Sequence, residues 1–225
     1  MKYKMKYILI LSCIWNACII MCGCGQSAEA DNTQHDIPQE ETEGKTLVVY
    51  FSHQVPYEVD GVTGASFVAT ENGYQGSTEY IARCIQEQTG GDLFRITVAE
   101  DHYPATYEAL AEVAKEEHDK GILPSLTSRI DNIGDYSTVI LGYPIWWYDI
   151  PMPVRSFLEQ YDLSGKRIAV FTTHLGSGLS GTIPSIAEME PDATVISEGY
   201  SCSGDNVSGK ENEIASWLEK LGYHK

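Results

Sequence analysis

Positive charge is scarce in this chain. Fifteen Lys and Arg stand against 32 Asp and Glu over 225 residues, a formal net charge of −17. Nucleic-acid phosphates are held by clustered basic side chains, so this balance argues against DNA or RNA as a partner. It argues equally against broad adsorption to an anionic membrane face, and suits cationic or neutral partners. Long apolar runs are missing too. The longest, Ile8 to Ile20, is interrupted by Ser12 and Asn16 and falls short of the roughly 20 residues a spanning helix needs. No internal repeat and no second linker divides what remains, so one folded domain is expected.

The first residues carry an address. Lys2, Lys4 and Lys6 precede the short apolar run, and Met21-Cys22-Gly23-Cys24-Gly25 follows it. A basic start, a short core and a small residue before cysteine make a signal peptide over 1–23 that resembles a bacterial lipobox, with Cys24 as the lipidated new N-terminus. Removing 1–23 takes away three Lys, leaving 12 basic against 32 acidic residues, a net −20. Residues 24–44 are rich in Gln, Ser, Glu, Asp, Asn, Thr and Pro and read as a lipidated flexible tether, and 45–225 as the domain. Of the cysteines in that domain, Cys84 and Cys202, neither has metal-ligand spacing. They could form one disulfide, although Cys84 lies on an apolar helix face beside Ile81 and Ile85. No metal site is readable.

Apolar strands and amphipathic helices alternate from Thr46 onward. The expected strands are 46–51, 93–98, 138–142, 168–172 and 194–197; the expected helices are 77–88, 107–119, 153–161, 183–189 and 211–221. Continuous runs such as Leu47-Val48-Val49-Tyr50-Phe51 suit strands covered on both faces. The pattern predicts an α/β fold, a doubly wound five-stranded parallel sheet. Ligands of such sheets bind beyond the carboxyl ends of the strands, where the strand order reverses.

Three strand ends carry unusual residues. After the first come Ser52 and, some two dozen residues later, Gly76-Ser77-Thr78 at a helix start, where backbone N–H groups can receive a phosphate. The intervening stretch has a hairpin-like signature, Ala65 to Thr70 followed by Glu71-Asn72-Gly73, so it reads as an insertion, expected to lie beside the ligand crevice as a lid or partner surface. After the third strand comes Pro144-Ile145-Trp146-Trp147-Tyr148. Adjacent aromatics in a Pro-bounded loop suit stacking on a planar ligand, a dimer interface or a pair of core tryptophans. After the fourth comes Thr173-His174-Leu175-Gly176-Ser177-Gly178, small and polar. There His174 is open to three roles: general acid, ligand contact or structural histidine. A hydrolase using Ser177 lacks the strand-to-helix elbow its nucleophile needs.

The segments "LVVYFS", "GSTEYIARCI", "GYPIWW" and "THLGSG", each in place after or before the proper element, resemble the flavodoxin-like family that binds FMN, from about Thr46 to Gly222. The resemblance implies strand order 2-1-3-4-5 and FMN as cofactor. It implies a phosphate seat at Ser52, His53, Gly76, Ser77 and Thr78. Pro144, Ile145, Trp146, Trp147 and Tyr148 would flank the isoalloxazine, and Thr173, His174, Gly176, Ser177 and Gly178 would border its other side. The family's compact Ser/Thr-x-x-Gly-x-Thr loop is broken here after Ser52. No catalytic side chain is implied, because the flavin supplies the redox chemistry. Such a protein would be an electron carrier or oxidoreductase working with a redox partner protein or quinone. The competing expectation is a non-redox scaffold lipoprotein that kept the fold.

Overall fold

The computed structural model describes residues 44–53, 67–70 and 73–224, all within the compact unit 39–225. The expected signal peptide, Cys24, nearly all of the tether and most of the insertion lie outside the described residues. Among the described residues no helix is long and apolar enough to cross a membrane.

In chain order the elements are β1 (Lys45–Phe51), β2 (Phe67–Thr70), β3 (Gly73–Gly76), α1 (Ser77–Thr89), β4 (Asp92–Ile96), α2 (Tyr107–Lys120), β5 (Tyr136–Pro144), α3 (Met152–Gln160), β6 (Arg167–His174), α4 (Thr182–Met189), β7 (Thr194–Val195), β8 (Tyr200–Ser203) and α5 (Glu211–Lys220). The main sheet runs β4-β1-β5-β6-β7, parallel throughout, with β8 also on β6. That is the expected 2-1-3-4-5 order with its last strand in two pieces.

Double winding is visible in the side chains of β1. Leu47, Val49 and Phe51 pack into one core with Leu110 of α2, Val154 and Phe157 of α3 and Ile186 of α4. Val48 and Tyr50, pointing the other way, join Ile81 and Ile85 of α1 and Ile214, Trp217 and Leu218 of α5. Period-two alternation in a strand buried on both faces gives this result, and each large apolar side chain so buried stabilises by about 1.5–3 kcal/mol. Close packing reaches the backbone: a Cβ at Gly142 of β5 would collide with the Phe171 ring of β6. Cys84 and Cys202 are free, buried thiols of the second core. Burial pushes the Cys84 thiol up to about 11, so both act as small apolar side chains.

The fifth strand departs from expectation. Strand pairing expected over 194–197 stops at Val195, and Tyr200–Ser203 takes over beside Phe171–His174. Between them Gly199 passes so near the Leu179 and Ile183 side chains and the Val170 carbonyl that a Cβ would meet all three at 2.8–2.9 Å. The chain bends there and rejoins the sheet.

Strands β2 and β3 pair antiparallel, Phe67 opposite Gly76 and Thr70 opposite Gly73. The hairpin expected within the insertion is therefore present where the chain is described. It leads straight into α1.

Candidate cofactor site

The sheet's order reverses at β1: the chain steps outward to β4, then returns past β1 to β5. In sheets of this order, ligands bind beyond the carboxyl ends of the strands at that reversal. Ser52, just beyond β1, is 3% exposed, and its hydroxyl has no hydrogen-bond partner among the described residues. A buried hydroxyl left so costs about 1–3 kcal/mol, which marks it as a group awaiting an outside partner. Gly76, N-cap of α1, has φ −63° and ψ 146°, a conformation open to any residue. Space is what demands glycine, because a Cβ would run into Ser52 Oγ.

The α1 start is fixed from two sides. Ser77 Oγ donates to Gly204 O at 2.5 Å, and Thr78 Oγ1 lies 2.6 Å from Thr173 Oγ1. The Ser77 hydroxyl thus donates to protein, while either member of the Thr78–Thr173 pair can be the donor; the Ser52 hydroxyl and the field of a 13-residue helix N-terminus are also there for an anion. Arg95 of β4 adds a cation that sequence reading overlooked. Its Nη2 donates to Ser52 O at 2.9 Å, and Nη1 lies 3.8 Å from Glu79 Oε2. His53 lies against Tyr103, ring centroids 5.4 Å apart.

The aromatic end is a tight turn. Pro144 is buried in register with Thr173 at the end of β5, and Ile145 N donates to Thr173 O at 2.9 Å. Trp146 and Asp149 exchange both backbone hydrogen bonds, with φ 50° at Trp147 and 62° at Tyr148 between them. Two central residues with positive φ define the primed hairpin turn, normally the place of Asn-Gly. The turn splits the tryptophans. Trp146, 5% exposed, goes inward, its ring edge-on to Phe51 at 5.2 Å and to Tyr103 at 5.3 Å. Trp147 and Tyr148 stay outside at 43% and 78% exposed. The side chains expected together as one stacking wall do line one cavity, but at different depths: Trp146 is nearly buried, its indole N–H without a partner among the described residues, and Trp147 stands at the rim.

Trp147 and Tyr148 face Gly176 and Ser177 across a cavity of about 440 Å³. Its far side is Leu110, Ala111 and Ala114 of α2. Trp147 Nε1 donates to Ala111 O at 3.1 Å, and Lys115 sits 5.5 Å from the ring centroid.

The loop after β6 completes the rim. Gly176 N–H donates to His174 Nδ1 at 2.8 Å, so in the neutral ring the proton sits on Nε2. Burial lowers the His174 pKa, with Asp205 opposing. Gly178 (φ 60°) accepts the Thr172 hydroxyl on its carbonyl. Gly204 N donates to His174 O at 2.8 Å, and Gly204 O accepts from Ser77, so this residue links the end of β6 to Ser77.

A profile of the family described as Flavodoxin matches residues 66–221. The chain belongs to the flavodoxin family. Its fold is similar to that of a candidate flavoprotein from Bacteroides eggerthii at 28% identity, with TM-score 0.60, covering 80% of this chain and 99% of that one. It is also similar to one from Bacteroides uniformis at 22% identity, TM-score 0.59, covering 78% and 98%. A third likeness is to a flavoprotein in complex with FMN from Lactobacillus acidophilus at 20%, TM-score 0.54, covering 78% and 99%. No curated protein matches.

Family membership supports FMN as the cofactor, and the residues fit it: a small buried cradle with an orphan hydroxyl at one end, a cavity lined mostly by apolar and aromatic side chains at the other. The flavodoxin-family domain also brings residues to the site that the sequence did not nominate. Behind Trp146, Tyr103 OH donates to Glu117 Oε2 at 2.7 Å, and His102 Nε2 lies 2.6 Å from Oε1. Glu117 is 4% exposed, and burial together with this bond raises the Tyr103 pKa. The signal available for α2 was its pair of small residues, Ala111 and Ala114, three apart on one face.

Proposed function

We propose that this protein is an FMN-binding electron carrier or oxidoreductase, tethered outside the cytoplasm through a lipidated Cys24. The observation that carries the cofactor reading is the orphan Ser52 hydroxyl opposite a glycine at which a Cβ would displace that hydroxyl. A phosphate oxygen at that position would satisfy it. The flavin ring would lie between Trp147 with Tyr148 and the Gly176–Gly178 loop, against α2. FMN accepts one or two electrons. The protein's own residues seat the phosphate and limit solvent access, and the net negative charge of the chain disfavours an anionic reduced form and lowers the potential.

The lipobox-like segment supports the location. With the domain outside the cytoplasm, NAD(P)H is not its routine donor, and a redox partner protein or a membrane quinone takes that place. A tether of about twenty residues spans on the order of 25 Å as a coil, enough to reach a membrane partner. Purified residues 45–225 should turn yellow on addition of FMN and be photoreducible. A colourless domain would support the scaffold instead. Cys24→Ala should release the protein from the membrane fraction; unchanged fractionation, or rapid NADPH oxidation by a cytoplasmic protein, would sink the location and donor readings.

A further inference from the structure

Among the described residues three non-glycines take positive φ: Trp147, Tyr148 and Ser180. All three lie in the two loops that bound the aromatic end, and Ser180 Oγ donates to Tyr148 O at 2.7 Å. Left-handed backbone is disfavoured for any residue with a Cβ. It persists only where the surroundings over-determine it. The Trp-Tyr pair has none of the Asn-Gly chemistry that makes such a turn form by itself, so something outside the turn must hold it.

Asp149, the last residue of the turn, is the point where the outside holds. Arg155 of α3 donates from Nη2 to both carboxylate oxygens, at 3.0 and 2.9 Å. His118 of α2 approaches Oδ2 at 3.2 Å, and Ile150 N donates to Oδ1 at 2.7 Å. The same residue's backbone N–H and carbonyl pair with Trp146. One side chain thus fastens the turn to two helices while its backbone closes the turn. Charge-assisted bonds of this kind are about twice as strong as neutral ones, and Asp149 and Arg155 are each only about a quarter exposed (26% and 24%).

We infer that Asp149 is the positioning residue of the aromatic rim: anchored to α2 and α3, it holds Trp147 and Tyr148 in the left-handed conformation, so the ring slot exists before any ligand arrives. This rests on the FMN reading only for its affinity arm. The other arm needs no ligand, because Trp147 Nε1 donates to Ala111 O in the turn as held, and a turn released from Asp149 should change that bond.

The test follows the Trp147 indole N–H by NMR in flavin-free residues 45–225, assigned with Trp147→Phe. Asp149→Ala should move that resonance and speed its exchange with water about tenfold or more. FMN binding should weaken about tenfold through lost preorganisation. Asp149→Asn, which keeps an oxygen for Ile150 N–H, should fall between Ala and wild type in both. A melting temperature that drops while the resonance and the FMN affinity stay at wild-type values would overturn the proposal and leave a packing role. If Asp149→Ala does not fold, Arg155→Gln leaves Asp149 in place and removes its main partner; an unmoved Trp147 resonance there would overturn the proposal as well. Wild-type protein that fails to bind FMN refutes the cofactor reading and leaves the indole result to decide this one.

Discussion

At the proposed phosphate end of the site a glycine stands where the backbone would accept any residue; at the aromatic end two bulky residues stand where the backbone favours glycine. Gly76 is chosen for the room it leaves beside Ser52. Trp147 and Tyr148 are present for the surface they give, against a conformational cost of about 1–2 kcal/mol per residue. One end takes its shape from an absent side chain, the other from a conformation imposed by contacts outside the turn. A site can therefore be rigid for opposite reasons at its two ends, and substitutions should separate them.

The largest expected effect divides the adjacent tryptophans. Trp146→Ala empties a core position between Phe51 and Tyr103 and should cost about 3–5 kcal/mol of stability in denaturant unfolding. Trp147→Ala should leave that midpoint nearly unchanged. Equal losses from the two variants would erase the distinction between core and rim. Next, Gly76→Ala should weaken FMN binding by about 1–3 kcal/mol, through overpacking against Ser52, as read by fluorescence titration. Adding Ser52→Ala removes the colliding atom together with the hydroxyl, so the double variant should regain part of the affinity but not all of it. Undiminished binding by the single variant would break the argument from space.

Smaller effects sharpen the aromatic side. Trp147→Ala should lose about 1 kcal/mol of flavin affinity, the scale of one aromatic contact beyond its buried area; equal affinity would remove Trp147 from the ring's surroundings. Tyr148→Gly should raise the stability of the flavin-free domain by up to about 1 kcal/mol, since glycine accepts the left-handed backbone and Tyr148 is largely exposed. A fall in melting temperature would count against strain in the turn. The smallest concerns His174, where the two ends meet through Gly204. Its folded pKa lies below the ordinary 6.5 because burial disfavours the cation. Its neutral form is therefore favoured on folding. Stability should be full above pH 6.5 and decline as pH falls from there toward the lower folded value. His174→Asn, able to accept from Gly176 N–H, should flatten that decline; an unchanged pH profile would show that His174 does not cause it.

Much of the fold was legible because burial on both faces imprints long apolar runs, as in Leu47–Phe51 and Val139–Leu141, and amphipathic helices imprint a period near four. Strand β8 was not. Tyr200, Ser201, Cys202 and Ser203 alternate inward and outward with polar residues, a pattern indistinguishable from a loop at four residues' length. At the site, Ser52 and Gly76 could be placed because their positions follow from strand and helix ends. The opposite fates of Trp146 and Trp147 could not be read, since turn type is normally signalled by Asn or Gly and here is enforced by Asp149, Arg155 and His118 from elsewhere in the chain. Arg95 was missed for a related reason: within its strand it looks like an ordinary solvated charge, and only the β1–β4 pairing of Tyr50 with Arg95 brings it to the cradle.

The hairpin and the first helix share a joint with no slack. Strand β3 ends at Gly76, which is also the N-cap of α1, and Gly76 is paired across to Phe67. No spacer residue separates ribbon from helix. Any shift of β2 against β3 is thus delivered directly to the first turn of α1, with no residue between to absorb it.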